Sequence, residues 1–141
     1  MKFSTRTRYG IRAMLDIAAD KSDNGVFQKD IAERQGISNK YLDQIIRALK
    51  VAGLIVNARG KKSGYILTKK PSEITLLDIH SAFEPGITVV ECMNSSVNCN
   101  FEDRCKAKTF WGNLNQLVIK YFKSVSLLDL IEGDIPKEIK I

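Results

Sequence analysis

Three cysteines lie close together in this 141-residue chain. Cys92, Cys99 and Cys105 are separated by six and five residues, within a polar stretch over residues 91–105. Thiolates are good ligands for zinc and for iron–sulfur clusters, and a flexible loop can wrap either group. The odd count argues against a set of structural disulfides. The residues alone leave open an iron–sulfur site, a zinc site, or reactive thiols without a metal.

A second kind of chemistry is indicated by the uneven charge of the chain. Residues 1–70 hold 15 Lys and Arg against 6 Asp and Glu, a balance of +9, whereas residues 71–141 have a balance of −3. This asymmetry favours a first half that contacts a polyanion such as nucleic acid. A solvated basic surface would give the same balance, so the charge alone does not decide.

The basic half has the pattern of a helix-turn-helix. Apolar spacing predicts one helix over residues 4–21, a short helix over Gln28–Gln35, and a third helix that begins after Ser38, a favourable N-cap. In this motif the second helix of the pair enters the DNA major groove by its N-terminal residues. The residues predicted to contact DNA from this helix are Ser38, Asn39, Lys40, Tyr41, Asp43 and Gln44.

Two extended stretches, residues 54–58 and 65–68, flank a basic, glycine-bearing turn that is typical of a wing. Arg59 suits insertion into a narrow minor groove, where the negative potential is enhanced. The other predicted wing contacts are Gly60, Lys61 and Lys62. Helix, turn, helix and basic hairpin in this order predict a mainly α fold with a small β-hairpin wing. The alternative is that these polar and basic residues are ordinary exposed side chains on a small domain and do not contact DNA.

The second half supplies a connecting helix and a long apolar helix. Thr75 begins a Ser/Thr-x-x-acid signature that predicts a helix over residues 76–84. The later apolar stripe fits either a satellite core or, as we favour, the seam of a two-fold dimer. Its predicted dimer residues are Phe110, Trp111, Leu114, Val118 and Phe122. We therefore divide the chain into a winged helix-turn-helix domain (1–70), a connecting helix (71–90), the cysteine loop (91–105), a dimerisation helix (106–131) and a tail (132–141).

Four segments of the chain form a joint pattern: Ser4-Thr5-x-x-Arg8-Tyr9-Gly10, Ile37-Ser38-x-x-Tyr41-Leu42-x-Gln44-Ile45, Ala52-Gly53-Leu54-Ile55 and Arg59-Gly60-x-x-Ser63-Gly64-Tyr65. These motifs resemble those of the Rrf2 family of bacterial transcriptional regulators, and the resemblance covers nearly the whole chain. One departure is Ser63, where the family usually has glycine. The resemblance implies a DNA-binding homodimer that acts as a repressor on a palindromic operator.

The resemblance is strongest to the IscR and NsrR types, whose three loop cysteines ligate a cluster. It implies that Cys92, Cys99 and Cys105 hold a [2Fe–2S] or [4Fe–4S] cluster that controls operator affinity through redox or cluster sensing. The first cysteine gap is one residue longer here than is usual in the family. The alternative is a cluster-free regulator of the same family that senses thiol oxidation, zinc or a partner protein.

The fourth cluster ligand is left open by the sequence. Lys108 stands where IscR-type members have histidine, and Arg8 stands where NsrR-type members have an acidic residue. The remaining candidates are His80, Glu102, Asp103 or an exogenous ligand. A lone histidine on an apolar helix face, such as His80, is more often a packed residue than a ligand.

Other classes of protein are not indicated. No apolar run reaches the roughly 18 residues needed to span a bilayer, and the N-terminus leads into no signal-peptide core. We therefore expect a cytoplasmic protein without membrane contact. No nucleophile–base pair or phosphate-binding glycine loop is visible, so we expect no enzymatic activity.

Overall fold

The structure, a computed structural model, describes residues 2–60, 62–94 and 98–139. It is mostly helical with one two-stranded antiparallel hairpin, which confirms the predicted fold class. In the described part of the chain, no helix is both long and apolar enough to cross a membrane. The elements are α1 (Thr5–Ala19), α2 (Gln28–Gln35), α3 (Asn39–Val51), β1 (Ile55–Asn57), β2 (Tyr65–Leu67), α4 (Leu76–Ser81), α5 (Lys108–Ser124) and α6 (Leu127–Glu132), with 3₁₀ turns at Pro71–Glu73, Glu91–Met93 and Glu102–Arg104.

Helices α2 and α3 form the predicted helix-turn-helix around a shared apolar core. Gly36 ends α2 in the left-handed conformation at φ 63°, and the Ser38 hydroxyl then accepts a hydrogen bond from the Tyr41 amide at 3.2 Å. This cap satisfies one of the amides that a helix N-terminus leaves without an intrahelical partner. The apolar face of α3 is buried and packs with α1 and α2 through Met14, Ile31, Leu42, Ile45, Ile46 and Leu49.

A charged contact joins α1 to the end of α2. The Asp16 carboxylate accepts hydrogen bonds from the Arg34 guanidinium, at 2.5 to 3.2 Å, and from the Gln35 amide at 3.0 Å. Burial alone would raise the pKa of Asp16. The hydrogen bonds from Arg34 and Gln35, with the positive charge of Arg34, outweigh that effect and lower the pKa below its usual value. The ionised carboxylate therefore stabilises the packing of α2 on α1.

The base of the wing is fixed by backbone contacts. Strand β1 pairs with β2 in the register Ile55↔Leu67, and Tyr65 also pairs with Val26 in the loop before α2. At Gly64 a Cβ would lie 2.5 Å from the backbone carbon of Gly25, so only glycine permits this close approach. The hairpin is thereby held against the loop between α1 and α2.

The second half of the chain returns to the first. Backbone hydrogen bonds join Leu76 to Val125 at 2.9 Å and Leu127 to Ile74 at 2.8 Å. Helices α4 and α6 both start from this pairing with a capping box, and Leu127 is buried in the core that α1 to α3 share. Residues 76–84 are helical only to Ser81, and a turn follows.

The 106–131 segment contains two helices, whereas the sequence predicted one. Val125 has an extended conformation at φ −101° and ψ 120°, and its side chain is buried. The Ser126 hydroxyl accepts from the Asp129 amide at 3.1 Å, while the Asp129 carboxylate accepts from the Ser126 amide at 2.8 Å. This reciprocal cap starts α6 as a separate helix, because it satisfies backbone donors that a continuous helix would have bonded internally.

Candidate DNA-binding surface and cysteine loop

The start of α3 presents a polar surface opposite its buried apolar face. Ser38, Lys40 and Gln44 are exposed, and together with the half-buried Tyr41 they line a shallow depression. Tyr41 is held by an edge-on contact with the Tyr9 ring, whose centroid lies 5.8 Å away. The apolar side of α3 fixes the helix in the domain and leaves this side able to enter a groove.

Two of the residues predicted to read bases already have partners within the chain. The Gln28 side-chain amide donates to the Asn39 backbone carbonyl at 3.3 Å and to its side-chain oxygen at 3.2 Å. Asp43 pairs with Arg47 one turn later at 3.0 Å. Asn39 is therefore tied to the start of α2, and the charge of Asp43 is partly offset on its own helix.

Basic residues that the sequence analysis did not single out extend this surface. Arg47 is exposed and follows Lys40 and Gln44 at helical spacing on the same face, which is the signal that could have identified it. On α1, the Arg12 guanidinium lies 5.2 Å from the centroid of the Tyr9 ring and donates to Gln35. These contacts hold positive charge beside the start of α3.

The wing tip carries the second set of predicted contacts. Arg59 and Lys62 are exposed, and Gly60 between them adopts φ 90°, a conformation that favours glycine. Lys61 lies outside the described residues. Near the base of the wing, Tyr65 is partly buried and lies close to Asp43. Burial and then the Asp43 charge raise its pKa, so the phenol stays neutral at physiological pH.

All three cysteines line one small cavity. Cys92 lies in the turn Glu91–Met93, Cys105 follows the turn Glu102–Arg104, and both are exposed, while Cys99 is partly buried. The cavity measures about 20 Å³, and its other lining residues are Met93 and Lys108. In the part of the chain that is described, no group of three His, Cys, Asp or Glu residues is gathered closely enough to hold a metal ion. The thiols thus converge on one place without forming a tight ligand cage.

Among the described side chains, the candidates for a fourth ligand, His80 and Asp103, do not line this cavity. His80 is buried in the domain, where its Nδ1 pairs with the Thr7 hydroxyl at 3.2 Å and its Nε2 with the Gly86 carbonyl at 3.0 Å. Because a carbonyl only accepts, Nε2 carries a proton and donates. Asp103 is exposed outside the cavity, and the side chain of Glu102 lies outside the described part of the structure. His80 therefore has a packing role in this structure, and Met93 brings a thioether to the cavity that the sequence analysis did not consider.

A short segment over residues 84–90, which we name the strap, connects α4 to the cysteine loop. At its start the Gly86 carbonyl accepts from His80, whose other nitrogen pairs with Thr7 of α1. Near its end the Val89 amide donates to the buried side-chain oxygen of Asn115 in α5 at 2.8 Å. The strap is thus bonded to α1 through His80 and to α5 through Asn115.

The predicted dimer residues divide between two faces of α5. Phe110 is 60% exposed, and its successor on the same face, Leu117, is 36% exposed. Trp111, Leu114 and Val118 are partly buried. Phe122 instead stacks on Phe3 of its own chain, with ring centroids 4.9 Å apart. The outward apolar face therefore runs along Phe110, Leu114 and Leu117, and Phe122 packs within its own chain.

Comparison with known proteins agrees with this geometry. Residues 3–133 match the Rrf2 family, described as iron-dependent transcriptional regulators. The protein Rrf2 of Nitratidesulfovibrio vulgaris is 40% identical over 131 residues, which cover 93% of this chain and 87% of that protein.

Two solved structures are similar along almost their whole length. CymR, the global cysteine regulator of B. subtilis, is 33% identical with a TM-score of 0.79, over 94% of this chain and 98% of that one. IscR of T. potens is 31% identical with a TM-score of 0.73, over 100% of this chain and 93% of that one.

Proposed function

Because this chain belongs to the Rrf2 family of transcriptional regulators, we propose that it binds palindromic duplex DNA as a homodimer under control of its cysteine loop. The observation that carries the DNA-binding part is the start of α3, where Lys40 and Gln44 are exposed on the side opposite a fully buried apolar face. A helix fixed in this way offers donors to base edges without unfolding any part of its domain.

Helix α3 and the wing make different contacts with DNA. Gln44 suits a bidentate contact to adenine, whereas Lys40 and Arg47 suit guanine or phosphate. Arg59 at the wing tip reaches the adjacent minor groove, and Lys62 contacts phosphate. Two protomers joined through the outward face of α5 would present two such readers to a symmetric operator.

For the sensing part, we propose that Cys92, Cys99 and Cys105 hold an iron–sulfur cluster. The donor chemistry fits, because three thiols line one cavity and are partly open to solvent. When bound, the cluster supplies a redox-active, thiolate-ligated group whose gain, loss or oxidation changes the charge of the loop. The chain's own residues hold it through thiolates and offset the negative charge with Lys108. The strap then carries a change in the loop toward α1 and α5.

Two observations favour a second function, a cluster-free thiol sensor. The cysteines do not form a tight cage among the described residues, and one similar structure is a global cysteine regulator. In that case exposed Cys92 and Cys105 would be the thiols that oxidise, and a disulfide or an oxidised thiol would change the loop.

DNA binding is tested by selecting duplexes from a random-sequence library with the wild-type protein. We expect a palindrome whose half-sites lie roughly one helical turn, about 10 base pairs, apart. Gln44→Ala should weaken binding to the selected duplex about 5- to 100-fold, the range of one good base contact. Gln116→Ala, an exposed glutamine on α5, is the matched control and should bind normally. Selection of no shared sequence would contradict specific DNA reading.

The two sensing functions are separated by purifying the protein without oxygen. A brown protein with charge-transfer absorbance, bleached by serine at any of Cys92, Cys99 or Cys105, supports the cluster. Met93→Leu tests whether the Met93 thioether is the fourth cluster ligand. Loss of part of the charge-transfer absorbance in this variant would support that role. A colourless wild-type protein without iron, whose DNA affinity changes on treatment with peroxide, would replace the cluster with the thiol sensor. Stoichiometric zinc would exclude both.

A further inference from the structure

The tip of the wing is closed by the side chain of Ser63. Its hydroxyl oxygen accepts a hydrogen bond from the Arg59 amide at 2.7 Å and donates to the Gly60 carbonyl at 2.7 Å. The Ser63 amide also donates to the Gly60 carbonyl, at 3.1 Å. One hydroxyl therefore bridges the Arg59 amide and the Gly60 carbonyl, the backbone groups at the two ends of the Arg59–Gly60 pair. A glycine, which the family resemblance leads one to expect here, would leave both groups without this bridge.

The same residue is connected to the recognition helix. The Asn57 side-chain amide donates to the Ser63 carbonyl at 3.1 Å, and the Asn57 side-chain oxygen accepts from the Lys50 ammonium at 3.1 Å. Lys50 lies in the last turn of α3, and its ammonium is 5.6 Å from the centroid of the Tyr65 ring in β2. A continuous set of contacts thus runs from α3 through Asn57 and Ser63 to the backbone of Arg59.

The pairing of the two strands does not reach as far as the wing tip. The last hairpin contact before the turn is the Ala58 amide on the Gly64 carbonyl at 2.9 Å, and the Gly64 amide donates to the Asn24 carbonyl at 2.8 Å. Beyond that point, within the described residues, the turn is held by the backbone hydrogen bond from the Ser63 amide to the Gly60 carbonyl and by the side-chain hydrogen bonds of Ser63 and Asn57. The position of Arg59 relative to α3 therefore depends in part on side chains.

We propose that Lys50, Asn57 and Ser63 are positioning residues that set the distance between the minor-groove contact of the wing and the major-groove contacts of α3. This inference rests on the proposed DNA-binding mode. A wing that is already ordered loses less conformational entropy when Arg59 enters the groove, which favours affinity. A fixed distance between the two contacts also favours duplexes whose narrow minor groove lies at the matching position.

The test is a double-mutant cycle on the duplex selected by the wild-type protein. Ser63→Ala removes the hydroxyl but keeps the Cβ, and we expect affinity to fall about 3- to 10-fold, the effect of one or two hydrogen bonds. In an Arg59→Ala background the same change should have little further effect, because the bridge acts through Arg59. Ser63→Thr keeps the hydroxyl and should restore most of the affinity. Fully additive losses from Ser63→Ala and Arg59→Ala would overturn the proposal.

Two controls separate this proposal from the DNA-binding mode itself. If Arg59→Ala binds the selected duplex normally, the wing contact fails, whereas an effect of Arg59→Ala with none of Ser63→Ala rejects only the positioning role. Ser72→Ala, an exposed serine in the turn Pro71–Glu73, is the matched control and should bind as wild type. In the free protein, hydrogen exchange of the Arg59 amide should be faster in Ser63→Ala than in wild type or Ser63→Thr. Equal exchange in all three would contradict the bridge.

Discussion

The charge of Asp16 contributes to the stability of the DNA-binding half. Its carboxylate side chain is 5% exposed and accepts hydrogen bonds from Arg34 and Gln35. We expect Asp16→Asn to lower the free energy of unfolding at neutral pH by about 1 to 2 kcal/mol, since Arg34 is half-exposed and solvent weakens the pair. Urea titration of wild type and variant measures this difference.

The pH dependence of that difference follows from the lowered pKa of Asp16 in the folded state. The stability from the ionised carboxylate is present above the unfolded pKa, about 3.9, and is lost as the pH falls through the lower folded value. The two unfolding curves should therefore converge at acidic pH. Asp23→Asn, at an exposed position before α2, is the control. A constant difference between Asp16→Asn and wild type across this range would contradict the assignment.

Single residues show where local sequence signals stop being informative. The Ser38 cap and the buried face of α3 were predictable, because each depends on spacing within one helix. The partners of His80 were not, since Thr7 lies 73 residues earlier in the chain. Ser63 was noted only as a departure from glycine, because its role depends on the shape of the turn that it closes. Side-chain contacts across the fold carry most of what the sequence did not predict.

The end of α5 shows the same limit for whole elements. An apolar stripe from Phe110 to Val125 predicted one helix, and the periodicity holds until the helix ends at Ser124. The signal for a new helix was present in Ser126 and Asp129, which have the same Ser/Thr-x-x-acid form that correctly located Thr75. The pairing of residues 74–76 with 125–127 is a tertiary contact, so it could not be read from either segment alone.

Helix α5 also carries the prediction about assembly. Phe110 and Leu117 lie on its outward face, and we expect this face to be buried between two protomers. Leu117→Glu should weaken the dimer roughly 30-fold or more, because an unpaired charge would enter an apolar contact. Sedimentation at micromolar concentration measures this. Ser72→Glu adds the same charge at an exposed position outside α5 and should remain dimeric. If the wild-type protein sediments as a monomer, the proposed dimer is wrong. If Leu117→Glu is still dimeric, the dimer interface lies on another surface.

Across the whole molecule, we propose that the strap is the route by which the cysteine loop acts on the DNA-binding half. It leads directly into Cys92, and two of its hydrogen bonds reach α1 through His80 and α5 through Asn115. The sequence predicted the cysteine loop and the winged helix-turn-helix domain as separate segments. The physical connection between them was not predictable, because it consists of a backbone carbonyl and a backbone amide that bond to side chains on other elements.

We therefore expect Asn115→Ala to weaken the coupling between the loop and DNA. The change leaves the buried Val89 amide without its partner, which costs about 1 to 3 kcal/mol and loosens the strap. The Cys92, Cys99 and Cys105 thiols and the α3 surface are untouched, so metal content and affinity of the unloaded protein should stay near wild type. The ratio of DNA affinities between the loaded or oxidised state and the reduced, unloaded state should move toward one.

Gel-shift titration in both states measures this ratio, and Asn113→Ala, an exposed asparagine on the same helix, should leave it unchanged. A folded Asn115→Ala protein with the full wild-type ratio would show that the signal reaches the DNA-binding half by a route other than the Val89 contact.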